Sequence, residues 1–157
     1  MSQPGVIDGL QFARSAGELR GELYQSQLPR LAESQCATEA VSFALSGAID
    51  PEGRPTLRIS VRGSLWLVCQ RCLGRVAFPL EIDSELFLCG SEREIAETDD
   101  ELDRIIAGKA MEVSELIEDE ILLKLPMVPR HEGCEIAVAA EPERRPSPFA
   151  VLGKLKG

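Results

Sequence analysis

Hydrophobic residues along this 157-residue chain recur with two different periods, and the change of period divides the sequence into elements. Val41, Phe43 and Leu45 alternate with smaller or polar neighbours and lead into the turn set Asp50-Pro51-Glu52-Gly53, which predicts a strand followed by a turn. Beyond the turn, Leu57, Ile59, Val61, Leu65 and Leu67 fall on one parity, and Thr56, Arg58, Ser60, Arg62 and Ser64 fall on the other. A period of two this regular predicts a half-buried antiparallel strand with Arg58 and Arg62 facing solvent. Trp66 and Val68 interrupt the polar parity, so something should cover that corner. Val76, Phe78, Leu80, Ile82, Leu86 and Leu88 continue the alternation, predicting a hairpin whose tip carries Cys69, Cys72 and Gly74.

The period changes to that of a helix over residues 113–125, where Leu116, Ile117, Ile121 and Leu125 share a face and the acids Glu115, Glu118, Asp119 and Glu120 read as a solvated row. Ser114 is the expected N-cap, and Pro126 ends the helix. A short strand over residues 19–24 and one or two helical turns at residues 28–33 complete the pattern. The expected architecture is α+β: an antiparallel sheet or small barrel with one main helix and a short C-terminal docking segment. Residues 1–18 read as a mobile or loosely docked arm, 19–136 as one domain with an exposed acidic loop at 90–104, and 137–157 as a Pro-rich linker with an amphipathic tail. Phe149 and Leu152 are the apolar anchors of that tail, which needs its own domain or a partner to dock on.

Composition narrows the function. The uncharged apolar runs fall far short of the roughly 20 residues that span a bilayer, and no cationic start precedes an apolar stretch, so a cytoplasmic protein without a membrane role is expected. The net charge of −9 argues against nonspecific nucleic-acid binding. It is unevenly spread: residues 1–80 hold eight basic and seven acidic side chains, residues 81–157 nine and nineteen. All eight basic residues of the first part are Arg, so a direct RNA-binding face that includes Arg54, Arg58, Arg62, Arg71 and Arg75 is one reading; ordinary solvation of a sheet is the other.

Five cysteines in a chain with no expected export signal do not suggest a disulfide framework. Cys69 and Cys72 form a C-x-x-C, and His131 and Cys134 supply the one further pair at ligand spacing, 58 residues on. Such a set can close a tetrahedral structural zinc site, making zinc the candidate cofactor. Two other readings stand beside it: an ordinary reduced pair, and a redox dithiol in which Arg71 lowers a thiol pKa, although redox motifs usually open a helix. Cys36 and Cys89 read as buried apolar residues. With no nucleophile elbow, phosphate loop or HExxH, neither an enzyme nor a small-molecule substrate is expected.

Several ordered segments carry a resemblance: Val68-Cys69-Gln70-Arg71-Cys72-Leu73, Phe78-Pro79-Leu80, the helix from Glu115 to Leu123 closing in Leu125-Pro126-Met127-Val128-Pro129, and Pro146-Ser147-Pro148-Phe149-Ala150-Val151-Leu152 with Leu155-Lys156. From about residue 19 onward the chain resembles the YceD family of bacterial large ribosomal RNA subunit accumulation proteins. The resemblance implies a noncatalytic cytoplasmic factor that supports synthesis, processing or stability of large-subunit (23S) rRNA. Many members carry further cysteines after the Leu-Pro element in a pattern like a small zinc knuckle; here that region is reduced to His131-Glu132-Gly133-Cys134. The acidic charge favours an indirect role, in which ribosomal proteins or assembly factors are the partners and large-subunit rRNA is at most a local contact.

Overall fold

The long hairpin organises a computed structural model that describes residues 5–134 and 148–155. Strands β4 (Pro55–Val68) and β5 (Arg75–Cys89) pair antiparallel in the register Leu57↔Leu86, Val61↔Ile82 and Leu67↔Val76. This register collects the apolar parity of both strands on one face, where Leu57, Ile59, Val61 and Leu65 are completely buried. β3 (Ala40–Ile49) adds Val41, Phe43 and Leu45 to the same face, and β2 (Glu18–Tyr24) adds Leu23. The sheet order is β2-β3-β4-β5-β6, with β6 (Arg104–Ile106) joined parallel to β5 at Phe87–Cys89. The sheet is open at β2 and β6, so of the two expected forms, antiparallel sheet or small barrel, the sheet is the one adopted.

The segment at 90–104 contains more order than its acidic composition suggested. Helix α3 (Glu92–Glu97) is capped by Ser91, whose hydroxyl accepts from the Glu94 N–H, and the chain then returns as β6. The N-terminal residues also depart from the expected arm. β1 (Val6–Ile7) pairs with β7 (Met111–Glu112), and α1 (Gly9–Arg14) starts at an Asp8 cap that accepts from the Gln11 N–H at 2.9 Å. Helix α1 lies so close to β3 that a Cβ on Gly47 would sit 2.5 Å from the Phe12 carbonyl oxygen. Glycine is what permits that approach.

Helix α4 (Val113–Lys124) covers the apolar face with Val113, Leu116, Ile117 and Ile121. It begins one residue before the expected Ser114 cap, with Glu112 in the capping position and no side-chain cap, because the β1–β7 pairing fixes where the chain turns into the helix. The acidic row is not uniformly solvated either: Glu118 is only 2% exposed. Its Oε1 accepts the N–H of Leu31 and its Oε2 the Nε of Arg30, at 3.1 and 3.0 Å. Arg30 belongs to α2 (Pro29–Glu33), and it also reaches Asp119 at 2.6 Å and the Glu115 carbonyl. One carboxylate thus caps the first turn of α2 and ties it to α4, with a half-exposed guanidinium balancing its charge. The expected linker from residue 137 to 147 and Lys156 of the tail lie outside the described residues. Ala150–Leu155 form a 3-10 turn in which Leu152 is exposed, as is Phe149 directly before it.

Removing the Glu118 carboxylate leaves the Leu31 N–H and the Arg30 guanidinium without their buried acceptor. Glu118→Ala is expected to cost about 2–3 kcal/mol and Glu118→Gln, which keeps an oxygen acceptor, about 1 kcal/mol. Urea unfolding of the two variants beside the native chain measures this, and equal losses would show that the charge contributes nothing.

Candidate metal centre

The tip of the β4–β5 hairpin is a tight loop in which the Cys69 N–H donates to the Gly74 carbonyl at 2.8 Å and the Leu73 N–H to the Cys69 carbonyl at 2.9 Å. The left-handed residue in this loop is Leu73, at φ +60°, a conformation that costs a side-chain-bearing residue on the order of 1 kcal/mol. Gly74 serves close approach: a Cβ there would lie 3.3 Å from the Cys72 sulfur and 3.7 Å from the His131 ring.

The second ligand pair arrives on the segment after α4. Pro126 ends the helix, and the Pro129 carbonyl then accepts the Gln70 N–H at 2.8 Å, which docks this segment against the hairpin loop. Gly133, at φ +65°, turns the chain between His131 and Cys134. The donor atoms of Cys69, Cys72, His131 and Cys134 all lie within 4.8 Å of one another. The Cys69 and Cys134 sulfurs are 3.8 Å apart, and the Cys72 sulfur is 3.4 Å from His131 Nδ1. A tetrahedral ion with metal–sulfur bonds of about 2.3 Å requires edges of about 3.8 Å between sulfurs and about 3.6 Å from sulfur to nitrogen. The spacing fits. His131 Nε2 lies 2.7 Å from the Arg75 carbonyl, a bond that makes Nε2 the protonated nitrogen and leaves Nδ1 with its lone pair toward the sulfurs.

The same contacts separate the thiols electrostatically. Cys69 is buried, yet its pKa is lowered to about 5, chiefly by the backbone N–H of Cys72, with those of His131 and Arg71 assisting. Cys134 is pushed up to about 11 by desolvation. His131 is raised by its bond to the Arg75 carbonyl. The redox reading had assigned the activation of a thiol to the Arg71 side chain, but here the Arg71 backbone is the contributor. The C-x-x-C lies in a hairpin loop, facing a third thiol and an imidazole, and does not open a helix. Cys36 and Cys89 are buried elsewhere; burial raises the Cys36 pKa to about 11, and the Cys89 sulfur meets Arg104.

The arginines singled out as contacts occupy two environments. On the outer face of the sheet, Arg58 pairs with Glu85 at 3.8 Å, and Arg62 with Asp83 at 2.6 Å and Glu81 at 3.6 Å. Arg54, at the opposite hairpin turn, pairs with Asp50 and Glu52. Arg71 is exposed on the Cys69–Cys72 loop, and Arg75 lies 4.4 Å over the Trp66 ring, a partial cover that leaves Trp66 40% exposed. Arg130, directly before His131, belongs to the same neighbourhood and is a residue that the sequence motifs did not single out.

These features define a small α+β protein in which a convergent Cys3His set, able to hold one four-coordinate metal ion, joins a long hairpin to the segment after its covering helix. The family model described as large ribosomal RNA subunit accumulation protein YceD matches residues 57–156, and the chain belongs to that family. It is also similar to the large ribosomal RNA subunit accumulation protein YceD of Haemophilus influenzae (strain ATCC 51907 / DSM 11121 / KW20 / Rd), with 28% identity over 166 aligned positions covering 98% of this chain and 95% of that protein. No solved structure matches.

Metal binding here has a defined proton cost. Cys69 is ionised at neutral pH, whereas Cys134 keeps its proton until about pH 11 and must release it to become a ligand. Affinity for a thiophilic divalent ion is therefore expected to rise at least tenfold per pH unit near neutrality. Competition with a chromogenic chelator at two pH values checks this, and an affinity independent of pH would remove Cys134 from the ligand set.

Proposed function

We propose that this protein is a noncatalytic ribosome-biogenesis factor of the cytoplasm that supports synthesis, processing or stability of 23S rRNA, with zinc held structurally by Cys69, Cys72, His131 and Cys134. The observation that carries the reading is the closed donor set. Four protein donors within 4.8 Å of one another would fill every position of a tetrahedral ion, whereas a catalytic zinc site keeps one position for water or substrate. Family membership supplies the process, since the family is named for rRNA accumulation and not for a reaction.

The carboxylates beside the covering helix support the absence of catalysis. Of the four carboxylates lining a groove of about 720 Å³ between α4 and the β5–β6 edge, three are engaged: Asp119 by Arg30, Asp83 by Arg62, and Glu120 by the Ser84 hydroxyl at 2.6 Å, while Asp103 stands without a second catalytic group. Carboxylates held in such contacts are poorly placed for general acid–base work. The acidic second part of the chain, with Phe149 and Leu152 on the terminal turn, fits basic partners such as ribosomal proteins or assembly factors. A membrane role gains no support, because among the described residues no helix is long and apolar enough to cross one. The alternative, an RNA-binding module using the sheet's arginine face, is disfavoured at Arg58 and Arg62 by their ion pairs with β5.

Two measurements test the proposal. Depleting the protein from its own cells is expected to lower mature large-subunit rRNA or to accumulate its precursors relative to the small-subunit rRNA; unchanged levels would overturn the process assignment. Protein purified without chelator or affinity-tag metal is expected to carry close to one equivalent of zinc, and less than about a tenth of an equivalent would exclude a tight structural site. Cys69→Ser is expected to lose the metal and melt earlier than the native chain.

A further inference from the structure

Carboxylates pair with only part of this protein's arginines, and three of the unpaired ones converge on the metal-centre end of the sheet. Arg30, Arg54, Arg58, Arg62, Arg93 and Arg104 each form an ion pair with a carboxylate. Among the described residues, Arg14, Arg20, Arg71, Arg75 and Arg130 are exposed arginines with no carboxylate in ion-pair contact, and of these Arg71, Arg75 and Arg130 flank the metal-centre residues.

The backbone of the metal centre gathers them. Arg71 lies between Cys69 and Cys72; the Gln70 N–H holds the Pro129 carbonyl and so brings Arg130 alongside; and the Arg75 carbonyl accepts from His131. The negative groups beside them are Glu132 and the sulfurs of the three cysteines.

An aromatic platform adjoins the cluster. Trp66 is 40% exposed, and both of its backbone groups are fixed by bonds to Ala37, at 2.8 and 2.9 Å. The Arg75 guanidinium lies 4.4 Å over its ring. A guanidinium supported in this way presents its second face outward, and unpaired bases stack on arginine planes as they do on aromatic rings. Arg71 and Arg130 supply fork-shaped donors matched to phosphate oxygens. The bases of a duplex are stacked inside and cannot reach such a platform. Glu132 beside the cluster, and the one carboxylate by which Glu81, Asp83 and Glu85 outnumber Arg58 and Arg62 on the same sheet, would repel a longer phosphate track and confine the contact to a few nucleotides.

We propose that the metal-centre end of the sheet is a contact site for single-stranded RNA, with the Arg75–Trp66 pair taking a base and Arg71 and Arg130 taking phosphates. This inference does not depend on which proteins the acidic half binds. Failure of an RNA-binding test would leave the rRNA phenotype of a depleted cell unaffected, so the two readings fail separately.

Trp66 is the only tryptophan in the chain and reports directly on the site. The test titrates metal-loaded full-length protein with a 12-nucleotide single-stranded RNA of mixed sequence, followed by Trp66 emission and by anisotropy of a labelled strand. Saturable binding that changes Trp66 emission is expected. In the Arg71→Ala, Arg130→Ala double variant, affinity should fall about tenfold or more and the log–log salt slope should shrink by about 1.4, from two lost phosphate contacts. Arg75→Lys keeps the charge but removes the planar stack; affinity should fall about fivefold or more with the slope unchanged. Arg58→Ala with Arg62→Ala should leave both quantities as they were. Metal content and melting temperature, unchanged across these surface variants, confirm that each is folded. Three results would overturn the proposal: no change in Trp66 emission, equal binding of the same RNA as a duplex, or equal binding of a polyglutamate peptide. The last would identify the cluster as a site for acidic protein segments.

Discussion

Everything at the two chemically interesting surfaces of this molecule depends on the register between β4 and β5. The side-chain period of a strand is two, so a slip by one residue would move Leu57, Ile59, Val61 and Leu65 from the core to solvent. The burial of that row fixes the pairing. Once it is fixed, Arg58 must face Glu85 and Arg62 must face Glu81, and the loop bearing Cys69 and Cys72 must close where Val68 meets Arg75. The neutral outer face and the metal centre are both consequences of the same apolar pattern.

The second ligand pair depends on a different constraint. His131 and Cys134 reach the hairpin only because α4 ends beside it, and the position of α4 is set by its apolar contacts and by Glu118, which holds α2 through Arg30 and Leu31. The Pro129–Gln70 bond then makes the last adjustment. An ion bound to all four donors would close a loop of 58 residues between Cys72 and His131, and closure entropy of that kind weighs against the unfolded chain. Such a centre contributes to the fold through the unfolded state as well as through its own bonds.

The parts of this arrangement that repeat with a period were legible in the sequence. The alternation from Leu57 to Leu88 defined the hairpin, the spacing of Leu116, Ile117 and Ile121 defined the helix, and the C-x-x-C with the later His and Cys marked the four candidate ligands whose donor atoms the fold brings together. The parts that depend on a distant partner were not. β1 is two residues long and exists only because Met111 and Glu112 lie beside it; β6 is three residues long and joins the sheet in parallel. Neither is long enough to carry a period. Glu118 reads as one acid in a row of acids, and only the arrival of Arg30 from 88 residues away gives it a reason to be buried. The Arg75–Trp66 contact is similarly invisible, because neither residue is unusual until the hairpin closes.

The same distinction changes what the net charge means. Along the sequence, the chain divides into a nearly neutral Arg-bearing part and a strongly acidic part. In space, antiparallel pairing folds Glu81, Asp83 and Glu85 from the acidic part directly onto Arg58 and Arg62 of the other, so the middle of the sheet has no cationic excess to offer a ligand. What remains is distributed unevenly: Arg71, Arg75 and Arg130 gather around the candidate metal centre, Arg14 and Arg20 lie on α1 and β2, and acids line α3, the segment before β6 and the solvent side of α4. Electrostatic steering depends on such residual fields and not on totals, since paired charges close together cancel within a Debye length. An acidic protein can therefore approach a phosphate backbone with one end while its other surfaces attract basic polypeptides, and the β4–β5 register is what makes the two compatible in so small a fold.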